Sequence, residues 1–577
     1  MLEDMKIAYF TMEIGLRPEI PTYSGGLGVL AGDTIKSGAD LGLPVVAITL
    51  LSRDGYFTQE LTADGTQIEH PVQWEPDGLL EKLPHQVAVR IQGRDVRVGV
   101  WRYKVLSQTG SSVPVYFLDT DIKENTPEDR NITRQLYGGD SSYRLKQEVV
   151  LGIGGIRMLR ELGIGVYKYH LNEGHSALLA LELLNWMRLD IETVWDEKLV
   201  WDVEAVRERC IFTTHTPVEA GHDKFPYELV SDIVGEIVPF QIMKEFGGKE
   251  HLNMTLLALN LSNYVNGVAK RHGEISREMF RGYHIHSITN GVHSHTWTCE
   301  HFRELYDKYL PGWANEPELF VRIDMVPDEK IWEAHMSAKS KMIDRIKERT
   351  GVELSPDVLT IGFARRATSY KRADLLFSDI ERLKNIGQGK LQIVYAGKAH
   401  PKDDPGKELI RKIFAHSREL AGKVTVVYLP DYNMEIACCL VAGVDLWLNT
   451  PLRPMEASGT SGMKAAHNGV PNFSVLDGWW VEGHIEGITG WSIGPEPSDK
   501  DNGGHNGTGD EEDLYNKLEK VIIPLYYRHR QGWIRIMKNA IGKNAYYFNS
   551  HRMMRFYVTY AYITTHTQEG ETKRDSA

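Results

Sequence analysis

KIAYFTMEIGLRPEIPTYSGGLGVLAGDTIKSGADLGLPVVAITLL, residues 6–51, holds a complete strand, turn, helix and strand in sequence order. KIAYF is a short apolar run of strand length, and TYSGGLGVLA leads from a glycine turn into a helical stretch ending near Leu41. LPVVAITLL is a second apolar run. This succession opens a parallel doubly wound unit, whose turns at the carboxyl ends of the strands are where ligands bind. Gly25 and Gly26 either let the backbone approach such a ligand or serve only to make the turn tight, and the motif alone leaves both readings open.

Outward from this unit, residues 55–120 alternate apolar and polar positions, as in VAVRI (87–91) and VRVGVW (96–101), which predicts antiparallel strands inserted into the first domain. A helical region at 143–162 precedes YKYHLNEGHSA (167–177), which reads as a strand edge passing into a helix at 177–189. CIFTTHTPVEAGH (210–222) delivers His215 to a loop in the same way, and HSITNGVHSHTW (286–297) repeats the pattern. Three polar clusters at strand ends read as the rim of a cleft, although a single His or Asn there also serves to cap a helix or satisfy backbone. The pairs His284/His286 and His293/His295 have no carboxylate or cysteine nearby to complete a ligand set, so no metal is expected.

A charged amphipathic helix at 327–351 is the candidate linker. VLTIGFA (358–364), LQIVYAG (391–397), VTVVYL (424–429) and VDLWL (444–448) then alternate with helical stretches, predicting a second parallel α/β domain over 352–530. The full division is 1–326 for the first domain with its inserted strands, 327–351 for the linker, 352–530 for the second domain, 531–565 for terminal helices and 566–577 for a disordered tail, with an exposed loop at 496–513. The 577 residues exceed what one core accommodates, and a net charge of −12 argues against nucleic acid or an anionic membrane as the main partner. The four cysteines form no metal or disulfide pattern, the apolar runs are too short to span a bilayer, and the acidic start is unlike a secretory signal. A cytoplasmic protein is expected.

The chemistry gathers in two stretches. EASGTSGMKAAHNG (456–469) places a glycine-rich turn at the start of a helix, where free N–H groups suit a phosphate, with Lys464 one turn in. A phosphate cradle beside a lysine fits pyridoxal phosphate, whose aldehyde forms a Schiff base with a lysine amine; a helix start with a surface lysine is the alternative. GFARRATSYKR (362–372) puts Arg365, Arg366, Lys371 and Arg372 directly after a strand in an acidic protein, a grouping suited to binding anions.

The sequence resembles the α-glucan phosphorylases, glycogen phosphorylase and its relatives, most closely the shorter bacterial and archaeal members. YSGGLGVLAGD, YHLNEGHSALLALELL, FTTHTPVEAGHDKF, YVNGVAKRHGEISR, ITNGVHSHTW, GFARRATSYKR and EASGTSGMKAAHNGV carry the resemblance nearly end to end, in family order. It implies an α/β fold with two Rossmann-like domains facing across a deep cleft, of the GT-B glycosyltransferase type. It also implies phosphorolysis of an α-1,4-glucan or maltodextrin by inorganic phosphate, giving α-D-glucose 1-phosphate with retention.

Pyridoxal 5'-phosphate would be bound to Lys464, with its phosphate trading a proton with the substrate phosphate. By the same resemblance, Arg365, Gly459 and Thr460 hold the cofactor phosphate and Tyr432 joins that site. Arg366 and Lys371 grip the substrate phosphate, assisted by Gly25 and Gly26. Tyr370, Glu456, Ala457, Ser458 and Gly459 line the glucosyl site with Leu27, Glu173 and His175, and His215 and Asn290 reach the sugar from the first domain. Two adjacent phosphates must share a proton and be surrounded by cations, which this set supplies.

Some features depart from the larger phosphorylases. Little chain precedes the GGLG turn, so their amino-terminal phosphorylation and nucleotide control are not expected here. Arg365 stands where they have lysine, the loop lacks their histidine, and His467 replaces an apolar residue without an evident role. A nucleotide-sugar glucosyltransferase of the glycogen or starch synthase type is the nearest rival, and a noncatalytic glucan-binding relative is a second. The preferred glucan and the oligomeric state are left open, a homo-oligomer being compatible with the chain.

Overall fold

The computed structural model describes residues 6–190, 200–495 and 509–563. Most of the 496–513 loop and the tail at 566–577 therefore lie outside the described residues.

Nine strands form the first sheet, in the order His286–Ser287, Tyr264–Gly267, Cys210–Thr213, Val166–Asn172, Lys6–Phe10, Val45–Leu50, Ser112–Asp119, Arg94–Leu106, Glu81–Ile91. Neighbours are parallel from the first of these to Ser112–Asp119, and the last two strands add on antiparallel. Val45–Leu50 is buried at every position, as a strand covered on both faces must be. The antiparallel strands seen in the sequence thus extend this same sheet, except for a separate hairpin, Thr58–Leu61 paired with Gln67–His70. The helix Gly26–Asp40 packs closely on the loop that follows the first strand. A Cβ on Gly32 would lie 1.9 Å from the Gly15 carbonyl oxygen, so only glycine fits there.

The second sheet has six parallel strands, in the order Thr425–Leu429, Leu391–Ala396, Leu359–Ala364, Leu446–Asn449, Asn472–Val475, Gly490–Ile493. Counted along the chain this is 3-2-1-4-5-6, the doubly wound order. The last two strands are not marked by an apolar run. NFSV and GWSI have four residues each and include buried polar side chains, and the Asn472 amide nitrogen donates to the Gly462 carbonyl at 3.1 Å.

A helix, Asp328–Thr350, runs before the second sheet and ends on Gly351 in the left-handed conformation, φ 72°. Its Lys339 Nζ meets Asp445 Oδ2 at 2.6 Å and its His335 Nε2 meets Asp445 Oδ1 at 2.8 Å, pinning the helix to the start of a sheet strand.

Packing follows the apolar faces more than the order of the chain. Helix Glu300–Tyr309 and the turn Pro317–Met325 place Phe302, Tyr306 and Phe320 in the core of the second sheet, ahead of the 326 boundary expected from the sequence. After Trp533, Met537 and Ile541 have packed in that same core, the chain returns to the first sheet. There Met553, Met554, Tyr557 and Tyr562 are buried, and Tyr557 Oη lies 3.1 Å from both Thr213 Oγ1 and Asn266 Nδ2. A smaller cluster joins Val29, Val292 and Trp297 to Met434, Met463 and Trp479.

Candidate active site

The strand order of the second sheet reverses between Leu359–Ala364 and Leu446–Asn449. A reversal leaves a crevice at the carboxyl ends of the two strands, because their following connections diverge to opposite faces. The first strand runs directly into Arg365–Arg372, and the fourth runs through Thr450 into Glu456–Lys464. The cation cluster and the glycine turn are thereby brought to one place.

Glu456 is the centre of the resulting ion group. Arg365 Nη2 lies 2.5 Å from Glu456 Oε2, and Lys371 Nζ bonds the same oxygen. Burial would raise the Glu456 carboxyl, but Arg365 and Lys371 outweigh it and hold the group at about 2. Burial, reinforced by Arg365 and opposed by Glu456, brings the Lys371 amine down to about 8, and that amine also lies 4.5 Å from the Tyr370 ring centre. Arg365 Nη1 is buried without a partner among the described residues.

The other two cations part company. Arg372 donates to the Thr450 and Pro451 carbonyls at 2.9 and 3.0 Å and to Asp510 Oδ2 at 2.6 Å, which ties the two loops together. Arg366 is exposed and pairs with no described residue.

The glycine turn is held from behind. Asp477 Oδ2 accepts the Glu456 N–H at 2.8 Å, the Ser458 carbonyl accepts the Trp479 N–H at 2.9 Å, and Gly459 takes φ 80°. Burial raises Asp477 to about 7. Thr460 precedes the short helix Ser461–Ala466, and Ser458 Oγ is buried without a partner among the described residues.

Lys464 is 7 % exposed, which removes the surface-lysine reading. Its amine sits 3.8 Å from the centre of the Trp297 ring, and burial, outweighing the attraction of Asp33, lowers it to about 8. Tyr432 lies close to Arg365, its phenol pushed up by burial.

His467 has a structural part that its sequence position does not reveal. Its Nδ1–H donates to the Met463 carbonyl at 2.8 Å, and its Nε2 faces Ser294 Oγ at 3.0 Å. Asn468 Nδ2 donates to the Trp297 carbonyl at 2.8 Å and to the Lys464 carbonyl at 3.1 Å. Asp33 Oδ2 accepts the Trp297 indole N–H at 2.8 Å. The lysine helix and the indole beneath its amine are therefore fixed to each other from three sides. Trp297 lies in a quoted motif, but only the fold puts it under Lys464.

The first sheet reverses between Lys6–Phe10 and Val166–Asn172, and the remaining site residues leave from its strand ends. Gly25 caps helix Gly26–Asp40 at φ −155°, and a Cβ on Gly25 or Gly26 would meet nothing within 4 Å. Neither turn geometry nor packing requires glycine here, and open space lies in front of the helix start, with Leu27 half-buried beside it. Glu13 Oε2 accepts the Ser24 N–H at 2.6 Å and lies 3.3 Å from the Gly25 nitrogen.

Glu173 faces its neighbours with both oxygens. It accepts the His215 N–H at 2.7 Å, the Thr216 hydroxyl at 3.0 Å and the Gly174 N–H at 3.1 Å, and burial raises it to about 6 against those bonds. His215 Nε2–H donates to Asn172 Oδ1 at 2.6 Å, and burial lowers the ring to about 3, which favours its neutral form. His175 Nε2 lies 3.7 Å from Asp223 Oδ2 with Nδ1 buried and unpaired, and Asn290 Oδ1 is likewise buried without a partner among the described residues. The histidine pairs go elsewhere: the His284 and His286 rings meet edge to face at 4.3 Å, and His293 and His295 bind Asp40 and Gln108.

The fold is one of large, mainly parallel α/β sheets with a buried lysine and an arginine cluster at a strand-order reversal, and the family model of carbohydrate phosphorylases matches residues 235–487. The chain is 42% identical to maltodextrin phosphorylase of Thermococcus litoralis, over 96% of this chain and 70% of that protein. It is 37% identical to glycogen phosphorylase of Aquifex aeolicus, over 98% of this chain and 87% of the relative. An uncharacterised protein of Methanocaldococcus jannaschii is 31% identical over 96% of this chain and 99% of its own length. The chain belongs to the carbohydrate phosphorylase family.

Proposed function

We infer that this chain is an α-1,4-glucan phosphorylase, transferring the terminal glucosyl unit of a glucan or maltodextrin to inorganic phosphate and releasing α-D-glucose 1-phosphate with retention. The observation that carries this reading is that the two segments leaving one strand-order reversal hold a buried Lys464 amine on the Trp297 ring, on one, and Arg365 and Lys371 converging on Glu456, on the other.

The residues present fit pyridoxal 5'-phosphate. The Lys464 amine is buried and brought to about 8, so a useful fraction is unprotonated and able to bond an aldehyde. The orphaned Arg365 Nη1 and Ser458 Oγ are buried donors suited to an anion beside the Gly459 turn. Bound there, the cofactor supplies a phosphate able to exchange a proton with the attacking phosphate.

In this reading Arg365, Gly459 and Thr460 hold the cofactor phosphate with Tyr432 alongside. Arg366 and Lys371 bind the substrate phosphate opposite the open helix start at Gly25 and Gly26. An entering anion competes with Glu456 Oε2 for Lys371, while Oε1, which neither cation bonds, accepts sugar hydroxyls near Tyr370, Ala457, Ser458, Gly459 and Leu27. His215 and Asn290 meet the sugar, and Glu173 acts on it through His215, whose backbone it orients; His175 lines the same side. Held at about 2 by two cations, Glu456 stays ionised at neutral pH and is a poor general acid, which disfavours ordinary glycosidase chemistry.

A nucleotide-sugar glucosyltransferase would have no use for the buried amine of Lys464. The test is incubation of the purified protein with maltodextrin and phosphate, assaying glucose 1-phosphate, together with borohydride reduction and peptide mapping. Phosphate-dependent release and a label on Lys464 are expected; an unlabelled Lys464 or phosphate-independent turnover overturns the reading.

A further inference from the structure

Three hydrogen-bond donors near the second sheet have no acceptor among the described residues: the Arg366 guanidinium, the Tyr56 hydroxyl and His400 Nε2. The histidine tautomer follows from its neighbour. His400 Nδ1 accepts the Lys402 N–H at 3.1 Å, so the proton of the neutral ring is on Nε2.

Backbone bonds bring Arg366 beside this histidine. Arg365 N donates to the Ala396 carbonyl at 3.1 Å and Ala367 N to the Lys398 carbonyl at 3.0 Å, which carries the strand pairing past Ala364 and lays Arg366 alongside Gly397. The approach is close enough that a Cβ on Gly397 would lie 1.8 Å from the Arg365 carbonyl oxygen.

Tyr56 comes from the first half of the chain and is held by the hairpin Thr58–Leu61/Gln67–His70. Gln59 Nε2 donates to the Gly397 carbonyl at 2.9 Å, while Gln67 exchanges bonds of 3.0 Å with the Ala399 carbonyl and N–H. Gln59 also bonds Asp431 in both directions, at 3.1 and 3.0 Å, and Lys398 Nζ donates to the Phe57 carbonyl at 2.6 Å. Both glutamines are buried, so these bonds are made away from water. The Tyr56 and His400 ring centres stand 6.2 Å apart, and Arg366 is near enough to act electrostatically on both.

The carboxylates of the neighbourhood are already engaged. Glu69 pairs with Lys407 at 2.8 Å, Asp403 accepts the Gly406 N–H at 2.9 Å, and Glu13 accepts the Ser24 N–H at 2.6 Å. Arg366 thus remains an uncompensated positive charge flanked by two neutral donors, an arrangement that suits a tetrahedral oxyanion.

We propose that Tyr56 and His400 complete the substrate-phosphate site around Arg366, each donating one hydrogen bond to a phosphate oxygen, and that the 58–70 hairpin is the strap that keeps them there. This deepens the phosphorylase reading and rests on it. The anion is either inorganic phosphate or the phosphoester of glucose 1-phosphate, which occupy the same place in the two directions of the reaction.

The test uses the holoenzyme in both directions. Y56F and H400A should each raise KM for phosphate and for glucose 1-phosphate by about tenfold, the loss of one charge-assisted bond, with KM for glucan and kcat within about twofold. H400Q, which keeps an N–H donor, should fall between wild type and H400A. Q67A, which touches only the strap, should shift the same two constants in the same direction.

Thermal stabilisation by added inorganic phosphate gives a second measurement that needs no turnover, and it should weaken in Y56F and H400A. Unchanged phosphate constants and unchanged stabilisation in both variants overturn the proposal, as does an equal rise in KM for glucan. A wild type that releases no glucose 1-phosphate, yet loses phosphate stabilisation in the variants, overturns the reaction and leaves the anion site standing.

Discussion

Lys464 and Glu456 are both buried, and burial favours the neutral form of each, but only Lys464 yields to it. Lys464 has no carboxylate paired with its amine, only the face of Trp297 and the weaker pull of Asp33, so desolvation wins and the amine falls to about 8. The neutral amine attacks an aldehyde, and it predominates above that value. Uptake of pyridoxal phosphate by the cofactor-free protein should therefore accelerate from pH 6.5 to 9 with a midpoint near 8, followed by absorbance; a midpoint near the ordinary lysine value of 10.5 would show that the amine is not dehydrated.

Glu456 has two cations, which outweigh its burial. Its carboxyl is depressed from 4.5 to about 2, so its contribution to stability is present above the ordinary value and is lost as pH falls through that window. E456Q should cost the cofactor-free protein about 3 kcal/mol by leaving Arg365 and Lys371 uncompensated, and its denaturation midpoint should fall less steeply than that of wild type between pH 5 and 2. Added phosphate should recover part of the loss in equilibrium denaturation.

At the scale of the element, the helix Asp328–Thr350 was legible because its caps and its charged face are local. Pro327 precedes it, acidic residues occupy its first turn, basic ones its last, and glycine follows. Its attachment was not legible. Lys339, His335 and Asp445 are all fully buried, and Asp445 also accepts the Thr360 N–H at 2.7 Å, so the helix is locked to the sheet through one carboxylate. K339M should destabilise the protein by about 3–5 kcal/mol, since the removed partner leaves a buried carboxylate with His335, the Thr360 N–H and the Tyr526 hydroxyl but no lysine to balance its charge. The check is chemical denaturation, with an unchanged midpoint ruling out the lock.

The short helix Ser461–Ala466 is the opposite case. Six residues do not hold a helix by themselves, and His467, Asn468 and the wall made by Trp297 supply what its length cannot.

For the molecule as a whole, the return of the chain to the first sheet matters most. Ser550 N donates to the Val292 carbonyl at 2.9 Å, His170 Nδ1 lies 2.8 Å from the Tyr562 hydroxyl, and a Cβ on Gly291 would lie 2.1 Å from the Asn549 carbonyl oxygen. Removing residues 550–563 would delete Met553, Met554, Tyr557 and Tyr562, uncover the first-sheet side chains clustered with them, among them Tyr9, Ile211, Tyr264 and Ile288, and take the Tyr557 hydroxyl from Thr213 and Asn266. At roughly 1.5–3 kcal/mol for each large apolar side chain exposed, the truncated protein should lose most of its stability and aggregate on expression. Calorimetry showing a normal melting temperature would contradict this.

What the sequence determined by itself is the local part of the design. Apolar runs of strand length, the glycine turns at 25–26 and 459–462, the helix caps and the cation cluster at 365–372 are properties of a few consecutive residues, and they were enough to foresee parallel α/β units and to single out Lys464 and the cations as the site to test. Only the tertiary structure decided which of those residues meet. It turned Arg372 away to Asp510 while keeping Arg365 and Lys371 on Glu456, put Trp297 under Lys464, and set Tyr56 beside His400. These pairings join positions far apart in the chain, and strand order, a product of long-range packing, is what sets their distances.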